Sequence, residues 1–319
     1  MRSFFILLSA LFILLSPLAG DDSDGYGWFV PDTPVCISGY LSAKYDSKEQ
    51  TDPGFDDIAL LLYANRGRYH LLSEAEISDL SVRKPDLGTA PLLLERLQLA
   101  YDLDSDDTVT IGKFNSDIGF WNLARISILT DTTTAPHILE HIFPELTTGL
   151  LYRHRFDDTY HALSLTLQHN EAIDNRYNNM RIDRHYAIGY SAYTEYLTWR
   201  LNAGQYRKKD HTHAWYAGAG MRIEKEMWRI DSELFHKQSR KGDDTPYDGY
   251  LQLVTHITDT VDSILRGEYY RDDSADVTEG IMLIGFTYRP SGSFTLKAEY
   301  LHHTRLPENR FVFSLSVLF

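Results

Sequence analysis

The sequence predicts an all-β chain: a transmembrane antiparallel up-and-down β-barrel of about sixteen strands. Three observations carry this. Segments of about ten residues with alternating polarity recur from Cys36 to the end of the chain. The links between them alternate short and long. Residues 310–319, R-F-V-F-S-L-S-V-L-F, place Phe311, Phe313, Leu315, Val317 and Phe319 on one face of a period-two strand. That face is wholly apolar and ends on an aromatic. A soluble strand needs a covering layer over such a face, and a lipid-facing strand does not.

The totals agree. Residues 1–20 hold Arg2, an apolar run over 4–15 and Ser16-Pro17-Leu18-Ala19-Gly20, followed at once by Asp21 and Asp22. This is the pattern of a secretory signal peptide cleaved near Ala19 or Gly20. The run is too short to span a bilayer, and no other stretch of 18 apolar residues suggests a transmembrane helix. Residues 21–35 read as a periplasmic lead-in, and 36–319 as the barrel. The formal net charge of -14 argues against nucleic acid as a partner. Cys36 is the single cysteine, so no intrachain disulfide forms. The 21 tyrosines suit a surface that is apolar on one side and wet on the other.

In order, the expected strands are 36–46, 57–64, 68–78, 92–103, 106–114, 146–156, 158–169, 184–193, 195–206, 212–223, 226–237, 248–257, 260–271, 279–289, 293–303 and 310–319. Even-numbered strands are followed by tight turns such as Asn65-Arg66-Gly67, Asp104-Ser105, Glu224-Lys225 and Thr258-Asp259. Odd-numbered strands are mostly followed by longer, charged links: 47–56, 79–91, 115–145, 170–183, 238–247, 272–278 and 304–309. The exception, 207–211, is short. A meander with turns at one rim and loops at the other has this alternation.

The faces agree within strands. Trp228, Ile230 and Leu234 oppose Arg229, Asp231 and Glu233; Val261, Leu265 and Tyr269 oppose Asp262, Arg266 and Glu268; Leu197, Trp199 and Leu201 oppose Arg200 and Asn202. Apolar groups outward and charge inward fit lipid outside and water inside, and closure satisfies the strand edges. Two segments, 57–64 and 279–289, alternate poorly. In 106–114, Lys113 falls on the Val109/Ile111 face unless a bulge shifts it.

The link 115–145 is longer than a loop without a role tends to be. It holds Phe120, Trp121, Leu123, Ile126, Ile128 and Leu129, which need a surface to pack on, and the nearest is the barrel interior. With Ser38-Gly39-Tyr40-Leu41, Gly112-Lys113-Phe114, Gly119-x-Trp121-Asn122 and the terminal Phe319, the mature chain resembles the Gram-negative outer-membrane porins, both general and phosphate-selective. The resemblance implies that this third extracellular loop folds into the lumen and narrows a pore. It also implies that the outer-membrane assembly machinery reads the strand of Phe311, Phe313, Leu315, Val317 and Phe319, and it suggests homotrimers, although some related channels work alone. The loops are shorter than in typical general porins.

Inward parity gathers Glu74, Glu76, Arg96, Arg200, Asp231, Glu233, Arg266, Glu268, Lys297 and Glu299 at mid-height, with Asp117 and Glu140 added from the long link. Such charges either set ion selectivity or pair and keep the lumen wet. Six acids against four bases on the strands lean toward mild cation preference. Arg153, Arg155, Arg222 and Arg229 fall nearer the turn rim. Tyr186, Tyr190, Tyr269, Tyr288 and Tyr300 fall on the outward face as an aromatic belt. His137-Ile138-Leu139-Glu140-His141 matches a zinc-peptidase pattern, but Pro136 and Pro144 leave about two turns of helix, and a packed loop helix is expected. Neither metal nor cofactor is expected. The function expected is a passive diffusion channel for small hydrophilic solutes and ions in the outer-membrane lipid. The alternatives are a plugged, structural or adhesive barrel and an outer-membrane hydrolase.

Overall fold

A computed structural model describes residues 27–30, 33–48, 54–81, 92–156 and 160–319. The expected signal peptide lies outside the described residues. The chain forms one 17-stranded antiparallel sheet. A short β1 (Trp28–Phe29) is followed by β2 (Val35–Asp46), β3 (Gly54–Arg66), β4 (Tyr69–Ser81), β5 (Leu92–Asp102) and β6 (Asp107–Asn115). Then come β7 (Leu146–Arg155), β8 (His161–Gln168), β9 (Ile182–Tyr193), β10 (Leu197–Lys208), β11 (His213–Lys225) and β12 (Trp228–Ser239). The last five are β13 (Thr245–Thr258), β14 (Val261–Asp272), β15 (Val277–Ser291), β16 (Phe294–His303) and β17 (Arg310–Leu318). Each strand from β2 onward pairs with the next. β17 returns to β2, with Leu315 opposite Ala43 and Leu318 opposite Tyr40, so the barrel is closed by sixteen long strands. β1 was not expected; it lies in the stretch read as a lead-in and pairs with β2 at Cys36 and Ile37.

Side chains alternate as a barrel wall in lipid requires. Leu165, Leu167, Leu201, Leu234 and Phe286 are exposed, while their polar sequence neighbours Ser164, Thr166, Asn202, Glu233 and Thr287 are buried. Tyr269 and Tyr288 are exposed on the outward face. Among the described residues no helix is long and apolar enough to cross a membrane. The short links form one rim (67–68, 226–227 and 259–260, for example) and the longer links the other.

Two local expectations change. Inward positions are not uniformly polar: Val254, Ile264, Ile281, Leu283, Leu301 and Val312 share the parity of the buried polar groups and form a dry cluster across β13–β17. Simple apolar-out, polar-in alternation fails there because these inward side chains pack on one another across neighbouring strands. Lys113 does not face lipid although its parity stays outward: the register runs unbroken through it, and it is fully buried, with Nζ donating to Leu94 O at 2.5 Å and Asp174 O at 2.8 Å. Beside it Gly112 sits at φ 116°, a region only glycine adopts freely, and a Cβ there would lie 2.1 Å from Leu97 O.

Candidate functional site

The inward face of the wall and the segment 116–145 form one hydrogen-bonded unit. The segment carries a single 3₁₀ turn (Trp121–Leu123) and a four-residue helix α1 (Ile138–His141). With so little regular structure, its backbone polar groups need partners elsewhere, and the wall supplies them. Asn202 Nδ2 donates to Asp117 O at 3.0 Å and Gly119 N donates to Asn202 Oδ1 at 3.1 Å. Phe120 N donates to Glu233 Oε1 at 2.5 Å, and Tyr250 OH holds the other oxygen at 3.1 Å. Arg266 reaches Thr132 Oγ1 and Thr134 O, both at 2.9 Å, while its Nε stays on Glu268 at 2.8 Å. Lys297 Nζ donates to Ser127 O and Thr130 Oγ1, and Glu299 accepts from Thr133 N and Thr134 N. Ser127 Oγ touches Ser42 at 3.1 Å and Ser316 at 2.9 Å, where the barrel closes.

Ionic contacts continue the pattern. Asp117 takes Arg200 at 2.6 Å and Arg153 at 3.1 Å. Burial alone raises a carboxyl, but these two guanidinium groups pull Asp117 down to about 2. Asp131 bridges Arg229 and Arg289, with Gln252 Nε2 at 3.0 Å. Around it runs a chain of alternating charge, Arg222–Asp231–Arg229–Asp131–Arg289–Asp262–His256, spread over β11–β15 and closed by the segment's own aspartate. Arg222 lies 5.0 Å over the Phe120 ring and Arg266 5.4 Å over Trp121, favourable cation–π placements.

Toward the loop rim, α1 is pinned by its side chains. His137 Nδ1 meets Asp248 at 2.7 Å, its backbone N donates to Glu268 at 2.8 Å, and its ring stacks on Tyr270 at 3.5 Å. Burial lowers the His137 imidazole, but the Asp248 hydrogen bond together with the charges of Asp248, Glu140 and Glu268 outweighs it and the net shift is upward. His141 stacks on His137 and pairs with Glu140 at 3.5 Å. Among the described residues no group of three His, Cys, Asp or Glu side chains is placed to hold a metal.

Eleven of the twelve charges singled out from the sequence thus lie on the wall's inner face or against it. Arg96 pairs with Glu74, and Glu76 accepts from Tyr40 OH at 3.1 Å and Tyr177 OH at 3.2 Å. Glu140 stands apart: its side chain is 66% exposed and meets only His141 among these groups. Three further buried acids of these networks were missed. Asp131 and Asp248 carry no local signal. Glu95 is hidden by a register shift between Glu74 and Ala75, a bulge that turns both Glu95 and Arg96 inward.

A closed sixteen-strand barrel with an apolar exterior and a polar inner face is the fold of the outer-membrane porins. No family model matches the chain, and no curated protein does. Solved structures do match. OmpF of Salmonella typhi, in complex with daunomycin, aligns with a TM-score of 0.69 at 6% identity over 90% of this chain and 98% of its own. The anion-selective porin from Comamonas acidovorans gives 0.65 at 11% over 90% and 100%, and the outer membrane channel DcaP of Acinetobacter baumannii gives 0.60 at 10% over 92% and 100%. At such identities the likeness is one of fold.

Proposed function

We propose that this chain is a porin-type diffusion channel of the Gram-negative outer membrane, in which the segment 116–145 lies inside the barrel as its constriction. The observation that carries the reading is the docking of that one segment on inward side chains of β2, β10, β12 and β14–β17. Small hydrophilic solutes and ions are the expected cargo, and selection comes from bore and field rather than chemistry. Six acids against four bases among the wall charges support mild cation preference, and exposed Arg153 at the turn rim opposes it. Homotrimers are the expected assembly; OmpT of Vibrio cholerae is described in a trimer form. The outward face of β17, ending in Phe319, is the proposed assembly signal.

Hydrolysis has less support. His185 meets Thr147 Oγ1 at 2.8 Å, as a nucleophile–base pair does, but its other nitrogen meets Tyr216 OH rather than a carboxylate, and the ring is fully buried. A second reading, a plugged barrel, is favoured by a specific observation: Glu74, Glu76, Arg266, Asp248, Gln252 and Glu279 are all at most 1% exposed, which a wide wet bore does not give. Planar-bilayer recording separates the two. Small unitary currents from the intact chain, enlarged when residues 119–135 are replaced by a short Gly-Ser linker, support the constricted channel. Silence from the intact chain with current from the deletion supports the plug, and silence from both removes the channel. The reversal potential in a salt gradient gives the sign of selectivity.

A further inference from the structure

The outer wall over β9–β12 carries a row of basic groups where its apolar band ends. Tyr206 and Ala214 are buried on the inner side, so their neighbours Arg207 and His213 face out. Arg184 lies directly opposite Arg207, and Arg207 directly opposite His213. Arg240 extends the row past the end of β12, its N–H on His213 O at 3.0 Å. Like charges directly opposite one another across a sheet are destabilising, and an anion between them removes that cost. Asp183 supplies one, holding Arg207 through both oxygens. Among the described residues the side chains of Arg184, His213 and Arg240 have no ionic or hydrogen-bonded partner. Residues 181–184, 205–213 and 236–244 hold eight Lys and Arg against four Asp, so this patch is positive in a chain of formal net charge -14.

Beneath the row the wall is grooved. Leu165 and Leu167 of β8, Ile188 of β9 and Trp215 of β11 flank Ala203 of β10 in a depression of about 520 Å³, within the ~300–1,000 Å³ of ligand sites. Ala203 lies opposite Ile188 on one side and Ala217 on the other, and the two small side chains leave the room. Tyr186 and Gln205 stand between this groove and the basic row. The depth of the row follows from β10. Its outward face runs from Leu197 to Arg207, roughly 33 Å along the strand, or about 25 Å of height at the tilt of a barrel strand. That matches the apolar band of such barrels, so the row stands among lipid headgroups. A second outward groove, between Leu234, Leu251 and Tyr269, has Arg271 beside it, and Asp273 occupies that arginine at 2.5 Å.

We infer that this part of the wall binds a multiply acylated glycolipid of the outer leaflet that carries two phosphates, one on Arg184 and one on Arg240, with an acyl chain along Ala203. Arginine meets a phosphate through two parallel N–H groups, a contact that is strong and directional. Arg184 and Arg240 stand three strand spacings apart, roughly 14 Å, so a single phosphate does not reach both and a headgroup with two separated phosphates does. A lipid is the anion that also brings hydrocarbon to the groove; a free anion uses the arginines alone. The choice of leaflet rests on the orientation in the proposed function, with the longer links outside, whereas the contact itself does not depend on current.

The test uses the full chain in detergent, with diphosphoryl lipid A, monophosphoryl lipid A and inorganic phosphate as probes and native mass spectrometry as the readout. The diphosphoryl lipid is expected to stay bound and the monophosphoryl form to bind about tenfold more weakly, the scale of one lost charged hydrogen-bonded contact. EDTA should change neither, because arginine needs no bridging cation. Arg184→Gln with Arg240→Gln should weaken the diphosphoryl lipid about tenfold or more. Ala203→Trp should weaken it by filling the groove, and Arg271→Gln should leave it unchanged. Equal retention by the native chain and the arginine variant, equal retention of the two lipids, or loss in EDTA overturns the site. Displacement by millimolar inorganic phosphate, with Ala203→Trp binding as the native chain does, assigns the row to a free anion and overturns the lipid. Planar-bilayer recording keeps the two readings apart: phosphate-dependent lipid binding without current upholds the site and removes the channel, and current without such binding does the reverse.

Discussion

Asp117 and Arg200 are 83 residues apart in the chain and 2.6 Å apart in the fold. The pair joins the start of the segment 116–145 to β10, and Arg153 closes on the same oxygen from β7. Asp117 is almost fully buried, so removing its charge leaves two arginines facing each other without their counter-ion. Asp117→Asn is expected to cost about 3 kcal/mol, the scale for breaking one side of a buried pair. The loss should appear as earlier thermal unfolding in micelles and noisier, larger currents. Asp117→Glu should retain much of the contact, and an Asn variant as stable and as quiet as the parent would show that this pair does not anchor the segment.

The two ends of the segment respond to pH in opposite directions. Asp117 is held at about 2, below its ordinary 3.8. Its contribution is therefore fully present above 3.8 and lost as pH falls through about 2. His137 is shifted upward from 6.5 by Asp248. Its contribution is fully present below 6.5 and lost as pH rises through the higher folded value. The α1 end should thus detach first in alkali. His137→Gln should remove that step, read as the alkaline limb of a melting-temperature profile, while leaving the acid limb in place.

Ser127 offers a way to lock the segment. Its Oγ lies 2.9 Å from that of Ser316 on the closing strand, a separation that places the two Cβ atoms near disulfide distance. In a Cys36→Ser background, Ser127→Cys with Ser316→Cys should oxidise spontaneously, shift electrophoretic mobility and suppress current fluctuations until reduced. If the pair stays reduced under mild oxidant, the segment does not rest against β17.

What the sequence makes legible follows from periodicity. Period-two patterning and the short–long link alternation locate all sixteen long strands, because lipid tolerates no ambiguity about which face is apolar. Where an irregularity intervenes, parity misleads. Lys113 keeps its outward parity but is covered by the segment at Asp174, and the bulge at Glu95 puts two successive side chains on one face. The apolar inward residues Leu283 and Val312 are illegible for another reason: their environment is set by neighbours across the barrel, not along the strand. The same holds for Asp131, whose partners Arg229 and Arg289 lie 98 residues or more away.

The closing seam tests whether the terminal aromatic has a packing role as well as a proposed targeting one. Gly39 N donates to Phe319 O and Phe319 N to Gly39 O, both at 2.8 Å, and Trp28 lies 6.1 Å from the Phe319 ring. A Cβ on Gly39 would come within 2.8 Å of that ring and 2.6 Å of Ala59 O. The backbone atom cannot yield as a side-chain tip can, so Gly39→Val should destabilise the seam by about 1–3 kcal/mol, the usual scale of overpacking. Gly39→Val with Phe319→Ala relieves the ring contact but not the Ala59 contact, so rescue should be partial. Folding yields into detergent, compared across the single and double variants, measure it. Complete rescue would place the whole clash in the ring, and no rescue would place it in the β3 backbone.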